Sequence, residues 1–278
     1  MSAYYNEIEP YAAEWLRNLI AAGHIADGTV DTRSIEDVRP SDLVGFTQCH
    51  FFAGIGGWSR ALRLASWPDD RPVWTGSCPC QPFSAAGKGG GFADERHLWP
   101  AWFHLIGQCR PCVIFGEQVA SKDGLGWLDL VYADLEAAGY ACGAFDLCAA
   151  GVGAPHIRQR QWIVADAESA RLSPGGMRTV RPVSPSNSGD GNGTPGNGRQ
   201  QWRTESSGRD GESFWSRADW LPCMDGKARA VESGTFPLAH GVPARVGKVR
   251  AYGNAIVPQG AAEVIGAYME IPNPGAAP

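Results

Sequence analysis

The sequence predicts an α/β protein with a Rossmann-like, mostly parallel sheet. Three observations carry that prediction. Short apolar strands alternate with amphipathic helices through residues 49–165, the pattern of a parallel sheet covered on both faces. One strand runs into a glycine turn at a helix start, Phe52-Ala-Gly-Ile-Gly-Gly57, which suits close backbone approach to a nucleotide-like ligand. With 44% hydrophobic residues and 11 Trp in 278 residues, the chain can bury the core of one large domain, alone or with a small appendage.

Residues 9–22 (EPYAAEWLRNLIAA) place apolar side chains at 12, 15, 16, 19 and 20, one face of a helix, with Pro10 suited to its first turn. Residues 49–52 read as a short apolar strand, 58–65 as the helix that Gly56-Gly57 opens, and 73–77 as a strand. A helix over 99–109 leads through Pro111 to the strand CVIFG, followed by a helix over 126–138 and strands near 140–147 and 161–165. From 168 to 211 the chain is dominated by Gly, Ser, Pro, Asn and Arg, a composition that cannot build a core of its own. Apolar residues return at Phe214-Trp215 and continue through 246–269.

The formal charge of −5 argues against a nucleic-acid partner until it is divided along the chain. Residues 1–157 hold 10 basic and 18 acidic side chains, whereas 158–250 hold 14 and 9. A basic half can grip phosphates while an acidic half does something else. The eight cysteines are too scattered for a disulfide framework. Only Cys109-Arg-Pro-Cys112 has zinc-like spacing and nothing completes four ligands, so these two read as small buried thiols at a helix-to-strand junction. No run of about 18 apolar residues and no signal-like N-terminus occur, and the chain is expected to be soluble and intracellular.

Five blocks, FFAGIGGWSRAL, GSCPCQPFSAAGKGGGFADERHLW, VIFGEQV, APHIRQRQWIV and RAYGNAIVPQ, resemble in succession those of the DNA cytosine-5 methyltransferases. The resemblance implies that fold, with S-adenosyl-L-methionine as methyl donor and a cytosine flipped out of double-stranded DNA as substrate. It assigns Cys80 as the nucleophile. Cytosine C5 is a poor nucleophile, so a thiolate must add to C6 first, and the surrounding loop with Gln81, Ser84, Lys88 and Arg96 has little apolar cover and suits a thiolate. Cys78 is left as a structural thiol. Glu117, just past an apolar strand, is the acid whose pKa burial would raise so that it can serve the ring N3. Arg158 and Arg160 alternate at a strand start and so share a side, where they would hold the base O2 and a phosphate. Two positions depart from the family pattern: Gln118 stands where Asn is usual, and His156 where Gln is.

For the donor, the resemblance implies Phe52 against the adenine, the backbone of Gly54, Gly56 and Gly57 near the methionine part, and Asn254 with Ala255 closing over it. The family carries two further strands between the glycine turn and the PCQ block, but only about twenty residues separate Gly57 from Cys78. The counterparts lie at the N-terminus: YYNEIEP places Glu7, followed by Ile8, at the ribose position, and GTVDTRSIEDV places Asp31 at the adenine position. The chain therefore resembles a permuted member, with residues 34–46 spanning the return path. Residues 1–168 are then expected to form the catalytic and cofactor-binding domain (its permuted part being 1–45), 169–225 a short target-recognition region with Arg199, Arg203 and Arg209 on DNA, and 226–278 to complete the domain. A metal-free monomer in the cytoplasm of a bacterial or phage-infected cell is expected, of the kind found in restriction–modification. A tRNA cytosine-5 methyltransferase and a catalytically silent DNA-binding relative are the alternatives.

Overall fold

Strand order in space departs from strand order along the chain. The structure, a computed structural model, describes residues 2–79, 98–119, 122–154, 158–167, 219–222, 228–231 and 254–271. Seven strands form one sheet: β1 (Ser2–Asn6), β2 (Gly28–Asp31), β3 (Phe46–Phe51), β4 (Val73–Gly76), β5 (Val113–Val119), β6 (Ala141–Cys148) and β7 (Gln159–Asp166), in the order β2-β1-β3-β4-β5-β7-β6. The pairings from β2 across to β5 are parallel, while β7 runs antiparallel to both β5 and β6. Counted from the glycine-turn strand β3, the parallel part reads 3-2-1-4-5, a doubly wound order whose reversal falls between β3 and β4. The two N-terminal strands sit where the permutation requires them, β1 beside β3 and β2 outside it.

Five helices flank the sheet among the described residues: α1 (Pro10–Ala21), α2 (Gly57–Leu64), α3 (Trp99–Cys109), α4 (Lys122–Ala137) and α5 (Pro258–Met269). Strand side chains alternate between faces. Cys49, Phe51, Trp74 and Ile114 point to a core shared with Trp102 and Ile106 of α3 and Trp127 and Val131 of α4. Val73, Phe115, Trp162 and Val164 point the other way, to Trp58 and Leu62 of α2 and Val264 and Ile265 of α5. Leu16 of α1 packs with Ala3, Tyr5 and Ile25. Fully burying such a side chain contributes roughly 1.5–3 kcal/mol.

The return path from β2 to β3 has structure of its own. Instead of running extended, it forms two 3-10 turns, Ile35–Asp37 and Pro40–Leu43. Ile35, Val38 and Leu43 from it join the cluster that holds Tyr4 and Cys49, so this connection supplies the apolar cover for β1 on that face. Arg33 staples it by bridging Asp31 and Asp42 at 2.6 and 2.9 Å.

Several boundaries differ from the sequence expectation. β3 starts at Phe46, three residues early, and stops at Phe51 because Phe52 takes a left-handed φ of 51°. β5 continues to Val119, three residues past CVIFG, because β7 pairs with it as far as Arg160. α4 begins at Lys122 rather than 126. Cys109 and Cys112 do lie at a helix-to-strand junction, but Cys112, in the chain reversal, is exposed, and Cys109, the last residue of α3, is only half-buried against the core. Cys78 is buried.

A separate antiparallel pair, β8 (Asp219–Pro222) with β9 (Ala228–Val231), straddles the boundary expected at 225. No described helix is long and apolar enough to cross a membrane, and no group of His, Cys, Asp and Glu suited to a metal occurs among the described residues.

Candidate active site

The carboxyl ends of β1, β3, β4 and β5 bring the candidate residues to one edge of the sheet, at the point where ligands bind in doubly wound folds. Just past β3 stands Phe52, whose ring meets Trp102 edge-on at 6.0 Å between centroids. Gly54 and Gly56 follow with φ of 54° and 82°, conformations that favour glycine. A Cβ on Gly54 would meet nothing within 4 Å, whereas one on Gly57 would lie 2.6 Å from Ile256 Cγ1. Gly54 thus leaves its backbone open to a ligand, and Gly57 makes room for the segment ahead of α5.

Glu7, just past β1, joins the N-terminal strands to this turn. One carboxylate oxygen accepts the Gly54 N–H at 2.7 Å and the other the Glu9 N–H at 2.9 Å. Burial raises its pKa, and those two N–H donors oppose the rise. Each carboxylate oxygen retains a second lone pair for a hydroxyl donor. Ile8 beside it is 64% exposed, an uncovered apolar face. Asp31 ends β2, but its carboxylate is already engaged by Arg33 and by the Tyr4 hydroxyl at 2.7 Å. Burial pushes its pKa up, yet those bonds prevail and hold it at about 2.

Glu117 is 7% exposed near the end of β5. Its partner is Arg160 of β7, Nε to Oε1 at 2.6 Å, a diagonal neighbour on the same face because Glu117 stands opposite Trp162 and Val119 opposite Arg160. Burial raises the Glu117 pKa against the pull of Arg160, of Arg158 and of a hydrogen bond with Ser77. Ser77 also accepts from Trp58 Nε1 at 3.1 Å. Next to Glu117, the Gln118 side chain donates to the Cys78 carbonyl at 3.4 Å and accepts the Val119 N–H at 2.9 Å. The longer amide at this position therefore ties the end of β5 to the chain two residues before Cys80.

Arg158 stands ahead of β7 with φ of 32°, so the two arginines do not both lie on the strand and the alternation expected of them does not apply. Its Nη2 donates to the Ala255 carbonyl at 2.5 Å, and burial followed by repulsion from Arg160 lowers its pKa. Asn254 is exposed. Cys80, Gln81, Ser84, Lys88, Arg96 and His156 lie outside the described residues, as do Arg199, Arg203 and Arg209. Sequence reasoning missed Ser77, Trp102, Ile256 and the task of Gln118. Ile256 had a signal, since it is the apolar residue inside the block that carries Asn254; Ser77 and Trp102 had none.

Comparison with known proteins bears on this arrangement. The model of the family described as C-5 cytosine-specific DNA methylase matches residues 65–190. No curated protein matches the chain. Among solved structures, a DNMT2 mutant of Spodoptera frugiperda aligns at 19% identity and TM-score 0.39, over 59% of this chain and 41% of that one. The Entamoeba histolytica methyltransferase EhMeth aligns at 15% and 0.39, over 59% and 44%, and the S. pombe Dnmt2 methyltransferase at 14% and 0.36, over 60% and 51%. The chain thus spans about half or less of the length of these proteins, and the superpositions are loose; the fold rests on the strand order itself. The matched segment 65–190 takes in β4, β5, the Glu117–Arg160 pair and β7, and over that segment the chain is similar to the C-5 cytosine-specific DNA methylase family.

Proposed function

We propose that the chain is an S-adenosyl-L-methionine-dependent DNA cytosine-5 methyltransferase. The observation that carries the reading is the pairing of buried Glu117 with half-buried Arg160 at 2.6 Å, Glu117 lying on the strand whose Gln118 holds the Cys78 carbonyl just before Cys80. The bound donor would supply a sulfonium methyl. Glu7, Ile8, Phe52 and the backbone from Gly54 to Gly57 would hold it, and they fit: an open glycine backbone, a carboxylate with spare lone pairs and an exposed apolar side chain converge there. Cys80 adds to C6 of the flipped base as Glu117 gives a proton to N3; after methyl transfer the C5 proton passes to solvent, the Cys80–C6 bond breaks to release the thiolate, and N3 returns its proton to Glu117. The test is transfer of labelled methyl to duplex DNA and, in parallel, to tRNA, with bisulfite sequencing of DNA from a methylation-free host. Transfer to tRNA alone, or to neither, would refute the reading.

Two predictions concern the pocket. A Glu117 that keeps its proton to higher pH than an exposed Glu holds the rate at low pH and loses it as pH rises through the raised pKa. Since Arg160 pulls that pKa down, Arg160→Gln should shift the fall in kcat/KM to higher pH while slowing the reaction; an unmoved profile would remove Glu117 as the acid. Glu7→Ala should weaken donor binding by about 1.5–3 kcal/mol, the range for a hydrogen bond to a charged group, as read by calorimetry; unchanged affinity would free the ribose position for another residue.

Salt dependence tests the basic region. Each neutralised phosphate contributes about 0.9 to the slope of log affinity against log salt. Neutralising Arg199, Arg203 and Arg209 together should flatten the slope by about 2–3 on that scale. An unchanged slope would make the region a bystander linker.

A further inference from the structure

The segment ahead of α5 lies between the two halves of the site and is fastened to each. On the donor side, Ile256 is 7% exposed and packs on Gly57 so closely that a Cβ there would lie 2.6 Å from it. On the base side, Arg158 donates to the Ala255 carbonyl at 2.5 Å. Beyond it, the first turn of α5 lies against the sheet, Gly260 being buried beside Trp162. The two neighbouring arginines divide their work: Arg160 turns to Glu117 and Arg158 to the backbone of the C-terminal segment.

We propose that Arg158 is a positioning residue, a latch that holds residues 254–257 across the glycine turn and so places the wall of the donor pocket from the start of β7. This rests on the reading that the glycine turn receives the donor. The physical case is that of a charge-assisted hydrogen bond to a carbonyl ahead of a helix. Without it, Ile256 keeps its apolar contact with Gly57, but the segment loses the anchor that fixes its register, and a misplaced wall costs binding before it costs chemistry. Arg158 therefore acts on the donor through the backbone of Ala255, from just ahead of the strand that carries Arg160.

The test uses the full chain without nucleic acid. Calorimetric titration with S-adenosyl-L-homocysteine should show Arg158→Ala binding on the order of tenfold more weakly, the lower end for such a bond, with Arg158→Lys recovering part of the loss. Hydrogen exchange at the amides of 255–257, which needs no ligand, should speed up by a similar factor in Arg158→Ala and leave β1 and β3 unchanged. Steady-state kinetics should show KM for the donor rising more than KM for DNA. Wild-type exchange rates in Arg158→Ala would overturn the latch whatever the ligand does. Faster exchange with unaltered ligand affinity would overturn its link to the pocket. A wild-type chain that binds no donor, while the exchange effect holds, would refute the proposed function and leave the latch as a fact of the fold.

Discussion

Cys80→Ser is expected to lose methyl transfer by several orders of magnitude, while Cys78→Ser keeps most of it. A serine hydroxyl at neutral pH is a far weaker nucleophile than a thiolate, and no step can proceed at C5 until C6 has been attacked. Cys78, by contrast, is 3% exposed and contributes its carbonyl to Gln118, a structural task that a serine of similar size can take over. Duplex DNA carrying 5-fluorocytosine at the target should trap a covalent complex, since fluorine replaces the proton that must leave. The complex should form with the wild type and with Cys78→Ser, and not with Cys80→Ser. Trapping by the Cys80→Ser protein would transfer the role to another side chain.

Removing residues 1–35 is expected to abolish folding as well as donor binding. β1 is an interior strand between β2 and β3, and Tyr4, Tyr5, Leu16 and Ile25 are each no more than 3% exposed. At roughly 1.5–3 kcal/mol for each such side chain, their loss of about 6–12 kcal/mol rivals the whole stability of an ordinary domain. The deletion also strips β3 of its parallel neighbour and removes Glu7 from the Gly54 N–H. The truncated chain should show no cooperative thermal transition and no heat of donor binding. A truncated protein that melts and binds like the full chain would mean that the N-terminal strands are dispensable.

Much of this architecture was legible in the residues. The helix Trp99–Cys109 forms over the residues its pattern marks, the glycine turn opens α2, and the displaced YYNEIEP and GTVD strands take the places that the missing blocks demanded, the first beside β3 and the second outside it. Local features can do this because periodicity reports which face of an element is apolar, and a glycine turn reports the dihedrals it needs.

What the residues left open are facts of pairing between distant segments. That β7 enters antiparallel between β5 and β6, and so lengthens β5 to Val119, depends on edges that no single segment contains. The same holds for charges. Asp31 has the acid type and position that a donor amine would need, but the fold of residues 31–42 brings Arg33 against it. Arg158 and Arg160 are two residues apart and chemically alike, yet one turns to Glu117 and the other to Ala255. Sequence alone determined which residue types stand at the carboxyl edge of the sheet. Only the tertiary structure decided which partner each of them holds, because a side chain's partner is set by strand order and by close approach of backbones, and both arise only when the whole sheet is assembled.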